Sequence, residues 1–246
     1  MENSKKDGRV VQIDSADQLA TRKSISQMAD IKGLESDELD KHKILHAGTV
    51  HRELLEVFRN LRTRLLQRQE QNNFVVLVSS ACSGGGGSMV SLNLAAAFAL
   101  DQSKTSVIVD CNVLNPYLDQ MLSIPPDYGL TDYLQNPNVE IDDIIYASGI
   151  PRLRMVPAGA RSELAAELFA SEGMRTIIAT LKERYPDRYI ILDAPPISSG
   201  AEVRVLAQLC DQAIVVVPHG KVTQAQIMGS IDTVGRDKFV GVIFNN

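Results

Sequence analysis

The stretch Phe74-Val-Val-Leu-Val-Ser-Ser-Ala-Cys-Ser-Gly-Gly-Gly-Gly-Ser-Met-Val-Ser-Leu-Asn-Leu-Ala-Ala-Ala-Phe-Ala99 constrains the fold more than any other part of the chain. The unbroken apolar run Phe74 to Val78 predicts a strand buried on both faces, as in a parallel sheet. Four glycines, Gly84 to Gly87, predict a loop, and Ser88 opens an apolar helix running to about Leu100. Strand, glycine loop and helix in that order form a cradle for phosphate. Glycines let backbone N–H groups turn inward, and the positive end of the following helix dipole points at the same place.

The cradle lacks its cation. The pattern G-x-x-x-x-G-K-[ST] places a Lys just before the hydroxyl residue, where it reaches the β- and γ-phosphates. Here that position is Gly87. A charge-assisted contact is worth roughly 1.5–3 kcal/mol, so its loss weakens nucleotide binding by about tenfold or more. Removing a donor from a transition-state clamp costs catalysis about 10²–10³ in rate. The loop residues Gly84, Gly85, Gly86, Gly87, Ser88 and Met89 are therefore the candidate nucleotide contacts of a site whose chemistry is disarmed.

Strand and helix patterns alternate beyond the loop. Ser106 to Asn112 predicts a second buried strand, with Asp110 near its end. A proline-containing loop spans Pro116 to Asp127, short helices are expected at Gly129–Leu134 and Ile141–Ile145, and a strand at Leu153–Pro157. Ala165–Arg184 predicts helix, broken near Gly173. Tyr189–Asp193, Ala213–Val217 and Phe239–Phe244 predict further buried strands, the last two separated by a helix over Thr223–Val234. The reading is an α/β fold: a doubly wound, mostly parallel sheet with helices on both faces. In such sheets ligands sit at the C-terminal ends of the strands, so the glycine loop, Asp110, Asn112 and Asp193 should converge.

Before this domain, residues 1–45 mix charges with few large apolar side chains and predict a flexible extension, with a short helix near Ser24 to Met28; the domain itself is taken as 46–246. Leu54, Phe58, Leu61 and Leu65 recur at helical spacing, while Arg52, Arg59, Arg62, Arg64 and Arg68 fill much of the remaining surface. Glu56, Arg59 and Arg62 read E-x-x-R-x-x-R, a spacing suited to pairing with a neighbouring subunit as well as to a solvated face. A net charge of −5 argues against nucleic acid as a partner. Without an apolar leader or a run long enough to cross a membrane, the chain is expected to be cytoplasmic. Cys82, Cys111 and Cys210 lack metal or redox spacing, and no His or third Cys accompanies Cys82 and Cys111 in their loops; they read as small buried side chains.

From about His46 onward the chain resembles the cytoplasmic tyrosine autokinases of bacterial exopolysaccharide and capsule synthesis, relatives of the MinD and ParA P-loop ATPases. The residues that carry the likeness include Glu56-x-x-Arg59-x-x-Arg62, Val78-Ser-Ser-Ala, Asn93-Leu-Ala, Val109-Asp-Cys-Asn with Pro116, and Tyr128-Gly-Leu-Thr-Asp-Tyr-Leu. Further along come Val156-Pro-Ala-Gly, Ile191-Leu-Asp-Ala-Pro-Pro and Gly220-Lys-Val-Thr. The resemblance implies ATP or ADP with Mg²⁺ as cofactors, Ser88 as the metal-binding hydroxyl, Asp193 as the Walker B carboxylate and Asp110 as the first carboxylate of a D-x-D motif. It also implies subunits packed into a ring through Glu56, Arg59 and Arg62, beneath an inner-membrane polysaccharide co-polymerase that determines chain length.

The departures fall on the chemistry. Gly87 stands for Lys, Gly85 for an acidic residue and Asn112 for the second carboxylate of D-x-D. An amide can still ligate through oxygen, but it neither takes a proton nor neutralises metal charge. In place of the family's tyrosine-rich tail, the sequence ends at Phe244-Asn-Asn246, with its tyrosines dispersed through the domain. The leading expectation is a pseudokinase that regulates exopolysaccharide export with weak nucleotide binding or none. Two alternatives stand beside it: an active autokinase or ATPase with a displaced cation, for which Lys104 and Lys221 are the local candidates, and a MinD- or ParA-type positioning ATPase.

Overall fold

The computed structural model describes residues 34–69, 73–122, 125–184 and 187–246. In chain order the elements are α1 (Ser36–Lys41), α2 (Arg52–Arg68), β1 (Val75–Ser80), α3 (Gly87–Ala99), β2 (Thr105–Asp110), α4 (Leu130–Gln135), β3 (Tyr146–Ala147) and β4 (Leu153–Val156). They continue with α5 (Ala165–Ala170), α6 (Glu172–Arg184), β5 (Arg188–Asp193), α7 (Ala201–Leu209), β6 (Gln212–Pro218), α8 (Gln224–Val234) and β7 (Phe239–Asn245). Short 3-10 turns lie at Leu118–Met121, Ile141–Ile144 and Ile197–Ser199.

The strands form one sheet in the order β3-β4-β2-β5-β1-β6-β7. Every pairing is parallel except that of the two-residue edge strand β3 with β4. Side-chain alternation divides the core. Val75, Leu77, Ile190, Leu192, Ala213 and Val215 point to one layer, with α5, α6 and α7. Phe74, Val76, Val78, Tyr189, Ile191, Ile214 and Val216 point to the other, with α2 and α3. The mostly parallel sheet covered on both faces is thus the expected fold, and β1 is an interior strand between β5 and β6.

Helix α3 is buried almost all round because it lies between the sheet and α2. Its Ala95, Ala96 and Ala97 are small enough to let the backbone approach the sheet, and Ser106 Oγ donates to Ala95 O at 2.7 Å. Beneath its C-terminal end Phe98 stacks on Tyr189, with centroids 4.3 Å apart, and Phe74 meets both rings edge-on.

Three details depart from the sequence reading. The break within 165–184 falls at Ser171, not at Gly173, which lies inside α6. Ser171 Oγ donates to Leu168 O and accepts from Met174 N–H, ending one helix and capping the next. Helix α7, to which no element was assigned, carries its buried Val203, Leu206 and Ala207 at i, i+3 and i+4. Finally, the boundary drawn at residue 46 falls within packed chain. Leu39, Ile44 and Leu45 are buried against α3, and Asn93 fastens this lead by accepting from Leu45 N–H at 2.8 Å and donating to Lys43 O at 3.1 Å. The expected helix near Ser24 to Met28 lies outside the described residues.

Candidate nucleotide site

The glycine loop leaves β1, an interior strand, and turns directly into α3. Gly84 and Gly86 have φ of +67° and +85°, left-handed values separated by one residue. That alternation turns successive amides to one side, the geometry of an anion-binding nest. Gly86 is the residue preceding the helix. The amides of Gly86, Gly87, Ser88 and Met89 have no acceptor among the described residues. A helix N-terminus with free N–H groups is prepared for negative charge.

Two side chains hold the loop. Ser80 Oγ donates to Cys82 O at 2.7 Å, and a Cβ added at Gly85 would overlap Ser80 Oγ and lie 3.0 Å from Cys82 O. From the last strand, Asn245 Nδ2 donates to Gly85 O at 3.1 Å and would stand 2.2 Å from a Cβ on Gly86. The space an acidic side chain at position 85 would need is taken by Ser80. Gly87 is less confined, since a Cβ there would lie 3.3 Å from Ser80 N.

Asp110 and Asp193 end adjacent parallel strands directly in register, which is why residues 83 positions apart face the same loop. Both are fully buried. Asp110 accepts from the backbone N–H groups of Asn112, Tyr117 and Leu118 at 2.9–3.1 Å, yet burial outweighs these donors and raises its pKa to about 6. Asp193 has fewer donors. Burial first and the neighbouring Asp110 charge second raise it to about 8, against the pull of the Ser88 and Ser91 hydroxyls. Ser91 Oγ lies 2.8 Å from Asp193 Oδ1, whereas Asp193 Oδ2 has no partner among the described residues. Burial and the nearness of a second carboxylate both favour a proton on the pair, and a metal ion would displace it.

A cleft of about 250 Å³ opens over these groups, lined by the residues Ser80, Cys82, Gly84 to Met89, Asn112, Tyr117, Ala194 and Pro196. Among the described residues, none that lines the cleft is basic. Lys104 immediately precedes β2, at the end of the sheet opposite the loop, with its ammonium 5.7 Å from the centroid of the Tyr189 ring. Lys221 follows β6, exposed and outside the cleft wall. Neither supplies the missing charge. Cys111 is buried with its thiol pushed well above the usual range, and Cys82 forms part of the cleft wall.

The candidate nucleotide and metal residues, Gly84 to Met89, Asp110, Asn112 and Asp193, therefore gather at one end of the sheet. The interface residues lie elsewhere, on α2. Glu56 and Arg59 pair with each other at 2.9 Å on the surface. Arg62 instead turns inward and donates to Ala97 O at 2.7 Å, at the C-terminal end of the loop helix, so its guanidinium does not face outward beside the pair. The sequence reading missed Ser80, Ser91, Tyr117 and Asn245. Only Ser91, one helical turn beyond Ser88, carried a signal in its spacing.

Hard oxygen donors at the first turn of α3 and at two strand ends, with Asp193 Oδ2 unpartnered among the described residues, fit a Mg²⁺ ion held together with a polyphosphate.

No protein-family model matches the chain. Relatives were found by sequence. The tyrosine-protein kinase CpsD of Streptococcus agalactiae is 28% identical over 161 residues, covering 64% of this chain and 68% of CpsD. The tyrosine-protein kinase YwqD of Bacillus subtilis is 26% identical over 160 residues, covering 64% and 66%. Among solved structures, the VpsO kinase domain superposes with a TM-score of 0.65 at 26% identity, over 79% of this chain and 97% of that domain. The kinase domain of the Escherichia coli tyrosine kinase ETK gives 0.70 at 21% identity, covering 78% and 75%. The Pyrococcus furiosus cell division ATPase MinD gives 0.57 at 19%, covering 70% of each. The homologues of this chain are bacterial tyrosine-protein kinases, and its fold is the P-loop NTPase fold that their kinase domains share with the MinD and ParA ATPases.

Proposed function

We propose that this chain is a catalytically degenerate, tyrosine-autokinase-like regulator of exopolysaccharide or capsule synthesis and export. The carrying observation is a cleft with its glycine loop, first-turn hydroxyl and paired carboxylates in place and no basic residue among the described residues of its wall. Phosphoryl transfer is almost entirely positioning and charge stabilisation, so a cleft that lacks the cation loses turnover before it loses shape.

Ser88, Asp110 and Asp193 are the residues that would hold Mg²⁺ with ATP or ADP, and the ion would supply positive charge to the phosphates. Without the lysine, binding is weak and the fold serves as an assembly platform. The resemblance to the autokinases supports a bacterial inner-membrane polysaccharide co-polymerase as partner and a homo-oligomeric ring as the working form. The Glu56–Arg59 pair on α2 is solvent-facing, with Val57 beside it 55% exposed, which suits a subunit contact. Among the described residues no helix is long and apolar enough to cross a membrane, which fits a chain brought to the membrane by that partner.

The convergence of Ser88, Asp110 and Asp193 also favours a second reading, an autokinase that works with a cation supplied from elsewhere. One assay separates them. Incubated with Mg-ATP, the purified chain is expected to incorporate no more phosphotyrosine than a Ser88→Ala/Asp193→Ala control. Incorporation above that control would overturn the regulator reading.

A further inference from the structure

We infer that the cleft is a diphosphate site: it takes a nucleoside diphosphate at least as readily as the triphosphate, because Gly87 has removed the contact that would favour a terminal phosphate. This rests on the reading of the cleft as a nucleotide site and names the ligand form it holds. Three observations carry it.

The anion-binding part is backbone alone. The left-handed Gly84 and Gly86 form the cradle with the amides of Gly86 to Met89, which have no acceptor among the described residues. Ser80 and Asn245 hold it in shape. The nest is therefore preformed without the lysine, and its amides suffice for a phosphate already inside it.

Beyond the nest, the described residues of the wall offer a further phosphate nothing basic. Asn112, Tyr117, Ala194 and Pro196 form that side. A third phosphate adds negative charge without adding a cationic contact.

The groups behind the wall add no cation of their own. Asp110 and Asp193 lie side by side at the strand ends, fully buried, with Asp193 touched only by hydroxyls among the described residues. Lysine at position 87 would reverse the balance, since one charge-assisted contact changes affinity by roughly ten- to a hundredfold. A side chain fits more readily there than at its neighbours: a Cβ at Gly87 would lie 3.3 Å from Ser80 N, 3.5 Å from Ser80 Cβ and 3.9 Å from Ser79 C, tight contacts that need a shift of a few tenths of an ångström, whereas a Cβ at position 85 or 86 would overlap Ser80 Oγ or Asn245 Nδ2.

Calorimetric titration of the full chain with Mg-ADP and with Mg-ATP tests the proposal. Expected is a Kd for the diphosphate equal to or below that for the triphosphate, and a Gly87→Lys variant in which the triphosphate gains about tenfold relative to the diphosphate. Overturning results are a triphosphate bound more than about threefold tighter by the unaltered chain, no heat with either at millimolar concentration, or an unmoved ratio in a folded Gly87→Lys variant. The ratio in the unaltered chain decides even if that variant fails to fold. A chain that transfers no phosphate but prefers the triphosphate removes this inference and leaves the regulator reading standing; one that forms phosphotyrosine removes the regulator reading whatever the ratio.

Discussion

At the scale of single residues, the four consecutive glycines are not equivalent. Gly86 combines φ of +85° with a close approach of Asn245, so Gly86→Ala is expected to cost about 1–3 kcal/mol. Gly84→Ala faces only backbone strain, about 1 kcal/mol, because nothing lies within 4 Å of its Cβ. Urea denaturation of the two variants checks the ranking, and an Asn245→Ala background should narrow the gap between them. The buried carboxylates bear on stability through pH. Both hold a proton more tightly folded than the ordinary value of 3.8, so between about pH 4 and the raised values the folded chain binds more protons than the unfolded one. Their stabilisation is full at low pH and is lost as pH rises through about 6 and then about 8. Asp193→Asn should therefore gain about 1 kcal/mol or more at pH 8 and almost nothing near pH 4, measured as denaturation midpoints across that range. These residue-level facts were partly legible in the sequence. The missing lysine was plain, but the occupation of the space at Gly85 by Ser80 and at Gly86 by Asn245 depends on contacts no local pattern encodes.

Among the elements, α2 illustrates how a motif divides between two tasks. The E-x-x-R-x-x-R spacing treats its arginines alike, yet Arg59 remains at the surface with Glu56 while Arg62 reaches the last turn of α3. Arg152 Nε donates to Ala99 O at 2.8 Å nearby, so the carbonyl end of the loop helix is closed by two guanidinium groups. Arg62→Ala is expected to destabilise the chain by about 1–3 kcal/mol. Arg59→Ala should change it by less than about 0.5 kcal/mol and weaken self-association instead. Denaturation paired with sedimentation of the same two variants distinguishes a stability residue from an interface residue. Helical periodicity announced α2 correctly, but rotamer direction and a partner 35 residues away set the split. For α7 the apolar spacing was present and brief, and it followed Pro195, Pro196 and Gly200, which read as loop.

Across the whole molecule, alternating apolar runs and helical patterns were enough to predict the sheet, its burial on both faces and the end at which the site would lie. Those properties follow from side-chain period and from the rule that places ligands at strand C-termini. The extent of the packed unit was less visible. Composition drew its edge at residue 46 because the preceding segment is rich in charge, whereas Leu39, Ile44 and Leu45 fill a space that α3 leaves open and Asn93 ties them there. Anyone shortening this protein to a minimal kinase-like core would therefore cut away part of its hydrophobic interior. A version beginning at residue 46 would carry an amide stripped of two of its partners and a bared apolar flank on the loop helix, and would be prone to clump, whereas one that retains residue 34 onward keeps that flank covered.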